Sequence, residues 1–436
     1  MELTTEQIYE KLSNKTVGYI KVNLLYILAN IEYLLISILE PLLLKRSLGY
    51  ESSNITTEIN PLLWEFGYMM FFQNKYCNKY LFDNYNKEED KIFNTILVSK
   101  AERYNYKFKI DDLIGKFKNN SNLLRDYIEA NILTNKTLYF IILTCMNYYK
   151  HIESLLYTYQ VLEYNKPSFL KLDINKNKLI KQNEFIKING GNFIQGRNDW
   201  DSKLVFDNEC PSFQQKINTF YVSKFLITNN DYLQFIQDNG YNNKKYWSIN
   251  GWEWKEKNNI NLPLYWIFKQ NEYYTRYFKQ YIAINNILNY PIIHISWYEA
   301  EAFCNYMGCR LITESEWEYI AMKQFPLSLS KLYEDKLNIG FNHHWITPVG
   351  YKTEIEGPIK DLIGNCWEWC SNYLYPYDGY CIDPVYREFS YPDFGKKKVI
   401  RGGAWCVPID LCDIKYRNSQ SPECRHQYIG FRVAKK

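Results

Sequence analysis

One imidazole stands alone in the first 293 residues: His151, in the run MNYYKHIESLL (146–156), on an apolar, helix-like stretch with a carboxylate, Glu153, two positions on. A histidine in that setting is a metal ligand, the remnant of one, or a packed side chain bonded to the carboxylate. His343 and His344, in the loop FNHHW, have no carboxylate or cysteine at metal spacing beside them and read as surface or packing residues. The eleven cysteines are scattered and form no CxxC pair, which suits reduced intracellular thiols better than a disulfide framework or a zinc knuckle.

These side chains need elements to hold them. Residues 4–165 carry apolar residues at three- and four-residue spacing (Leu24, Ile27, Leu28, Ile31, Leu34, Leu35, then Tyr139, Ile142, Leu143, Met146, Tyr149), with turn-rich breaks near 47–61, 84–90 and 117–121. The pattern predicts an up-and-down helical bundle. Residues 22–44 approach membrane-spanning length, but Asn23, Asn30, Glu32, Glu40 and Pro41 interrupt them, so a buried bundle helix is expected. After the Lys- and Asn-rich connector LDINKNKLIKQNEF the texture changes to short strands, Trp and Tyr clusters and Gly or Asn turns. Asn189-Gly190-Gly191 between two alternating runs predicts a hairpin. Thr228 or Asn229, Ser296 and Thr313 are expected to cap helices, Thr313 with Glu316 in a capping box. The expected domains are 1–171, a linker at 172–185, and 186–436.

With 46% apolar and 18% aromatic residues the chain can fill packed cores, and 52 basic residues against 48 acidic ones give no electrostatic footprint for nucleic acid. The start, MELTTEQIYEKLSN, lacks the parts of a secretory signal, so a cytoplasmic protein is expected.

The series FDNE (206–209), FLITNNDYLQFI (225–236), GWEW (251–254), LPLYW (262–266), HISWYEAEAF (294–303), RLITESEWE (310–318), GNCWEW (364–369), RGGAW (401–405) and GFRVA (430–434) resembles the formylglycine-generating-enzyme-like (sulfatase-modifying factor) domain. GWEW, LPLYW and PYDGY look more like the iron-dependent sulfoxide synthases of ergothioneine and ovothiol biosynthesis, which also carry a DinB-type bundle. The resemblance implies an α+β chain of two domains: a DinB-like four-helix bundle, then a C-type-lectin-like domain.

It also implies an iron(II) site of three bundle histidines. Two lie four apart on one helical face and a third closes the triangle from a facing helix, leaving positions for oxygen and a thiol. Here Glu65, in NPLLWEFGYMMFF, stands where the first is expected, Asn147 replaces the second, and His151 keeps the third. In YRNSQSPECRHQYIGFR (416–432), Asn418 and Arg425 match substrate-holding positions, whereas Ser419, Gln420 and Cys424 depart from the family residues. The family's catalytic tyrosine falls to Tyr380 or Tyr386, with Asp383 near the expected register. Asn365 and Glu368 resemble a structural calcium site; the alternative is that both satisfy buried backbone amides. Cys406 and Cys412 stand near the copper(I) thiolates of formylglycine-generating enzymes, at a spacing of six instead of five. His294 looks like a scaffold residue, and His426 replaces a family glutamine.

The leading expectation is a sulfoxide-synthase-like protein that has lost its iron set, carries no cofactor, and binds a small molecule or a protein partner, without nucleic acid or membrane. The alternatives are an active iron enzyme joining a thiol to a histidine derivative through His151, Glu65 and a third donor, and a copper-dependent or carbohydrate-binding role.

Overall fold

The computed structural model describes residues 14–44, 59–174, 183–198, 205–325, 335–351 and 357–436. Most of the break expected near 47–61, residues 47–58, and most of the expected connector, residues 175–182, lie outside the described residues. The chain divides into two compact units, one of residues 1–158 with 167–169 and one of residues 159–166 with 170–436. The first is helical and the second mixes short strands with helices, an α+β layout.

Among the described residues the first unit has four main helices: α1 (Asn14–Leu44), α2 (Leu62–Gln73), α3 (Ile110–Ala130) and α4 (Asn135–Val161), the last residues of α4 belonging to the second unit. By length and composition, residues 20–43 of α1 could cross a bilayer. Leu24, Leu28, Ile31, Leu34, Leu35, Ile38 and Leu39 of this helix are nevertheless buried at helical spacing, and its Glu32 reaches Arg125 of α3 at 2.9 Å. The break expected at 117–121 does not occur. That segment, FKNNS, lies inside α3, where Phe117, Ser121, Leu124 and Ile128 keep a buried stripe, Asn119 faces outward and Asn120, half-buried, donates to Asn74 Oδ1 at 3.2 Å. Burial of the stripe overrides the weak helix propensity of Asn and Ser. Beyond α2 the helix continues through a π turn at Asn74–Asn78 into Lys79–Phe82 and stops at Asp83, which is left-handed at φ 50°.

Among the described residues the second unit holds four small sheets. The strands are β1 (Phe185–Ile188), β2 (Gly191–Gln195), β3 (Phe213–Ile217), β4 (Phe220–Ser223), β5 (Trp266–Lys269), β6 (Glu272–Tyr277), β7 (Gln280–Ala283), β8 (Cys309–Leu311), β9 (Trp367–Tyr373), β10 (Lys398–Arg401), β11 (Asn418–Gln420), β12 (Ile429–Gly430) and β13 (Val433–Lys435). Their orders are β1-β4-β13-β8, β11-β10-β9-β12, β2-β3 and β5-β6-β7. The hairpin expected at 189–191 is therefore corrected: β1 pairs with β4 and β2 with β3, so Gly190 carries the chain from one sheet to another. A side chain at Gly190 would fall on the Ile217 carbonyl, so the glycine serves close backbone approach instead of a tight turn.

Caps follow the sequence reading. Thr228 caps α5 (Asn229–Gln237), Ser296 caps α7 (Trp297–Tyr306) and Thr313 caps α8 (Glu314–Gln324), each in a capping box, while α6 (Ile249–Lys257) starts at Ser248. The core of this unit is stapled by buried ion pairs. Arg401 meets Glu314 at 3.2 Å and Glu318 at 2.8 Å, Arg417 meets Glu314 at 2.7 Å, and Arg432 meets Glu368 at 2.5 Å. Such pairs replace the regular ladders that its loops lack.

Candidate functional site

Helices α2 and α4 bring two of the three resemblance-derived positions together. Glu65 lies in the first turn of α2, after Pro61, where the helix N-terminus favours a carboxylate. Fully buried, it faces His151 of α4, whose Nδ1 lies 2.7 Å from Glu65 Oε1. The His151 ring also packs on Tyr68, with centroids 5.1 Å apart. Asn147, one turn before His151 on α4, is 4% exposed, and its Oδ1 has no hydrogen-bond partner.

The second oxygen of Glu65 accepts from Asn60 Nδ2 at 3.4 Å, and Asn60 Oδ1 accepts from Arg103 Nη1 at 2.7 Å. The Arg103 guanidinium lies 4.5 Å over the Trp64 ring and donates to the Val98 and Thr95 carbonyls. Burial lowers its pKa, opposed by the charge of Glu65. An arginine thus supplies positive charge behind the carboxylate, as a buried anion requires. The sequence reading missed Arg103, which belongs to no motif. Its only local signal is the capping box of Ser99 and Glu102, which starts the short helix Lys100–Arg103 that carries it.

Three imidazoles would be needed to match the implied iron group. These three positions offer one imidazole, a carboxylate bonded to it, and an amide oxygen, which does not fit that group. Where Nδ1 donates to Glu65 it has no lone pair for a metal and Nε2 keeps one, so His151 supplies at most a single nitrogen donor. Among the described residues no group of three or more His, Cys, Asp or Glu side chains converges as a ligand set.

The other expected residues, all in the second unit, are held by their neighbours. Tyr380 donates to Asp207 Oδ2 at 2.6 Å, and Ser390 donates to Oδ1 of the same carboxylate at 2.5 Å. Burial, helped by Asp207, pushes the Tyr380 phenol upward, so it stays protonated. Tyr386 donates its backbone N–H to Asp383 at 3.1 Å and packs its ring 5.5 Å from Phe389. Tyr380 and Tyr386 therefore sit on a loop that Asp207 and Asp383 tie down.

Arg425 forms a two-point bond to Glu299, 2.9 Å at Nε and 2.9 Å at Nη2, and Nη2 also donates to the Leu262 carbonyl. Burial opposes its charge, and Glu299 more than offsets this, raising the pKa. Asn418, half-buried on β11, accepts from the Ser419 N–H at 2.8 Å.

Asn365, at φ 64°, accepts from the Thr347 N–H at 2.9 Å and from Asn338 Nδ2 at 3.2 Å, and donates to Asp361 at 3.3 Å. Both Glu368 oxygens accept from Arg432, and one also accepts from Trp317 at 3.3 Å. These partners occupy the oxygens that a calcium ion would use. Burial raises the Glu368 carboxyl, against the pull of Arg432. Cys406 and Cys412 are buried thiols, and Cys412 Sγ lies 3.6 Å from the Val407 carbonyl oxygen.

Residues 171–436 match the family described as the sulfatase-modifying factor enzyme 1-like domain. Over 254 residues the chain is 28% identical to hercynine oxygenase of Mycobacterium tuberculosis, covering 56% of this chain and 58% of that protein. The chain therefore spans less than two thirds of that relative. It is 24% identical over 287 residues to inactive C-alpha-formylglycine-generating enzyme 2 of Bos taurus, covering 57% of this chain and 87% of that protein. The solved structure of PvdO from Pseudomonas aeruginosa aligns over 58% of this chain and 94% of its own, at 18% identity and a TM-score of 0.38.

Proposed function

Starting from a chain that belongs to the sulfatase-modifying factor enzyme 1-like domain family, we propose that it is a metal-independent relative of the iron sulfoxide synthases, acting by binding a small molecule or a protein partner. The observation that carries this reading is the 2.7 Å contact between His151 Nδ1 and Glu65. It joins one implied ligand position to another and leaves a single imidazole where oxygen-activating iron would need a fuller nitrogen or carboxylate set. Arg103 behind Glu65 supports the same reading, because the buried carboxylate is balanced by the protein's own cation. Two names fit this picture: the mycobacterial relative is called an oxygenase, and the bovine one is called inactive.

The test is elemental analysis of the purified chain, with oxygen consumption followed in the presence of cysteine and histidine betaine. Sub-stoichiometric iron and no substrate-dependent oxygen uptake are expected. The double variant Glu65→His, Asn147→His restores three imidazoles and should gain iron(II) that the parent chain does not hold. Stoichiometric iron lost on His151→Ala in the unaltered chain would overturn the reading.

A second reading, the active sulfoxide synthase, is favoured by one observation: Asn147 Oδ1 is buried without a partner one helical turn from His151. Iron with thiol-dependent oxygen uptake in the same assay would establish it. The copper, calcium and carbohydrate roles remain proposals for the second unit, and the same elemental analysis separates the two metals.

A further inference from the structure

A small cavity in the second unit, of about 20 Å³, is lined by Trp266, Thr275, Arg276, Tyr277, His294 and Trp345 among others. It has room for about one water-sized guest. Tyr277 is 2% exposed, and its hydroxyl has no hydrogen-bond partner. Because a buried donor without an acceptor is costly, the hydroxyl implies a guest that accepts from it.

Charge narrows the guest. No Asp or Glu lines the cavity, whereas Arg276 does. Its guanidinium, largely buried, donates to the carbonyls of Gln160 at 2.5 Å and Phe278 at 2.9 Å and lies 4.5 Å over the Tyr265 ring. The nearest carboxylate, Glu163 at 3.7 Å, is 64% exposed and therefore screened by solvent. His294, left-handed at φ 62°, is pushed down to about 3 by burial, so it is neutral at physiological pH. The cavity thus combines a buried cation, the Tyr277 hydroxyl without an acceptor and aromatic walls, at the size of a single atom.

We propose that this cavity binds a monatomic anion of halide size, with the Tyr277 hydroxyl donating to it and Arg276 supplying the field. The amphipathic rings of Trp266 and Trp345 exclude larger guests and bulk water. The site is separate from the His151 and Glu65 positions, and it stands or falls independently of whether iron is bound there.

The experiment uses the full chain. Crystals grown in sodium bromide are measured at the bromine edge, and thermal unfolding is compared in bromide, chloride and the bulkier methanesulfonate at equal ionic strength. The expected result is an anomalous peak within hydrogen-bond distance of Tyr277 Oη and a higher unfolding temperature in the halides. Tyr277→Phe deletes only an oxygen and should fold. It should weaken bromide binding about tenfold, the effect of one hydrogen bond to a charged group. A cavity without anomalous signal, or an unfolding temperature indifferent to the anion, overturns the proposal. So does a bromide peak that Tyr277→Phe leaves undiminished.

Discussion

Replacing His151 by alanine tests directly whether the bundle pair holds itself or holds a metal. The structure sets the size of the effect. Glu65 has a side-chain exposure of 1% and His151 of 19%, so solvent repairs little when the imidazole is removed. A hydrogen bond to a charged group contributes about 1.5–3 kcal/mol, and loss of the Tyr68 ring contact adds about 0.5–1.5 kcal/mol. Arg103, acting through Asn60, still partly balances Glu65, which keeps the loss below the 3–5 kcal/mol typical of a stranded buried charge. His151→Ala should therefore cost about 3 kcal/mol, and the cycle with Glu65→Gln should give a coupling of about 1.5–3 kcal/mol. Two units unfold in this chain, so a single denaturation midpoint is ambiguous. Native-state hydrogen exchange of α2 and α4 isolates the relevant opening free energy. The cycle is run with and without a chelator. A coupling below about 0.5 kcal/mol, within ordinary additivity error, or one that vanishes on chelation, refutes the reasoning.

Glu209 is pushed up to about 7 by burial, against Arg197 at 3.0 Å. Its folded pKa exceeds its unfolded one, so its contribution to stability is complete below pH 4.5 and is lost as pH rises through 7. Glu209→Gln should remove about 3 kcal/mol of that pH dependence, seen as a flatter plot of denaturant midpoint against pH. His294, held at about 3, works in the opposite sense: its contribution is present above pH 6.5 and lost as pH falls toward 3. His294→Asn tolerates the left-handed backbone and should reduce the acid loss in the same titration. Gly403, at φ 83°, would place a side chain inside the Cys412 sulfur. Gly403→Ala should cost about 3 kcal/mol or more by strain and overpacking, and adding Cys412→Ala should restore part of the thermal midpoint. Arg425→Met should lose about 3–5 kcal/mol by stranding Glu299; an unchanged thermal midpoint would return Arg425 to a ligand-binding role.

Much of the frame was legible in the sequence because it is local. The buried stripe of α1, the caps at Thr228 and Ser296, the capping box at Thr313, and the change of texture between the two units follow from spacing and from side chains within a few residues of one another. The same local logic misread FKNNS as a break and Asn189-Gly190-Gly191 as a hairpin turn. In α3 the burial of Phe117 and Ser121 outweighed propensity, and at Gly190 the partner strands β4 and β3 decided the path.

By itself, the sequence determined which donors exist: one bundle histidine, with a glutamate and an asparagine in the other implied positions. Tertiary structure decided what those donors do. Glu65 and His151 are 86 residues apart, Arg425 and Glu299 are 126 apart, and Tyr380 and Asp207 are 173 apart. Whether such groups meet depends on how helices and sheets pack, because a side chain's reach is a few ångströms and no periodicity in the chain encodes contacts at those separations. A buried charge must find a partner, and the packed fold alone selected Arg103 for Glu65, Glu299 for Arg425, and no carboxylate for the cavity beside Arg276.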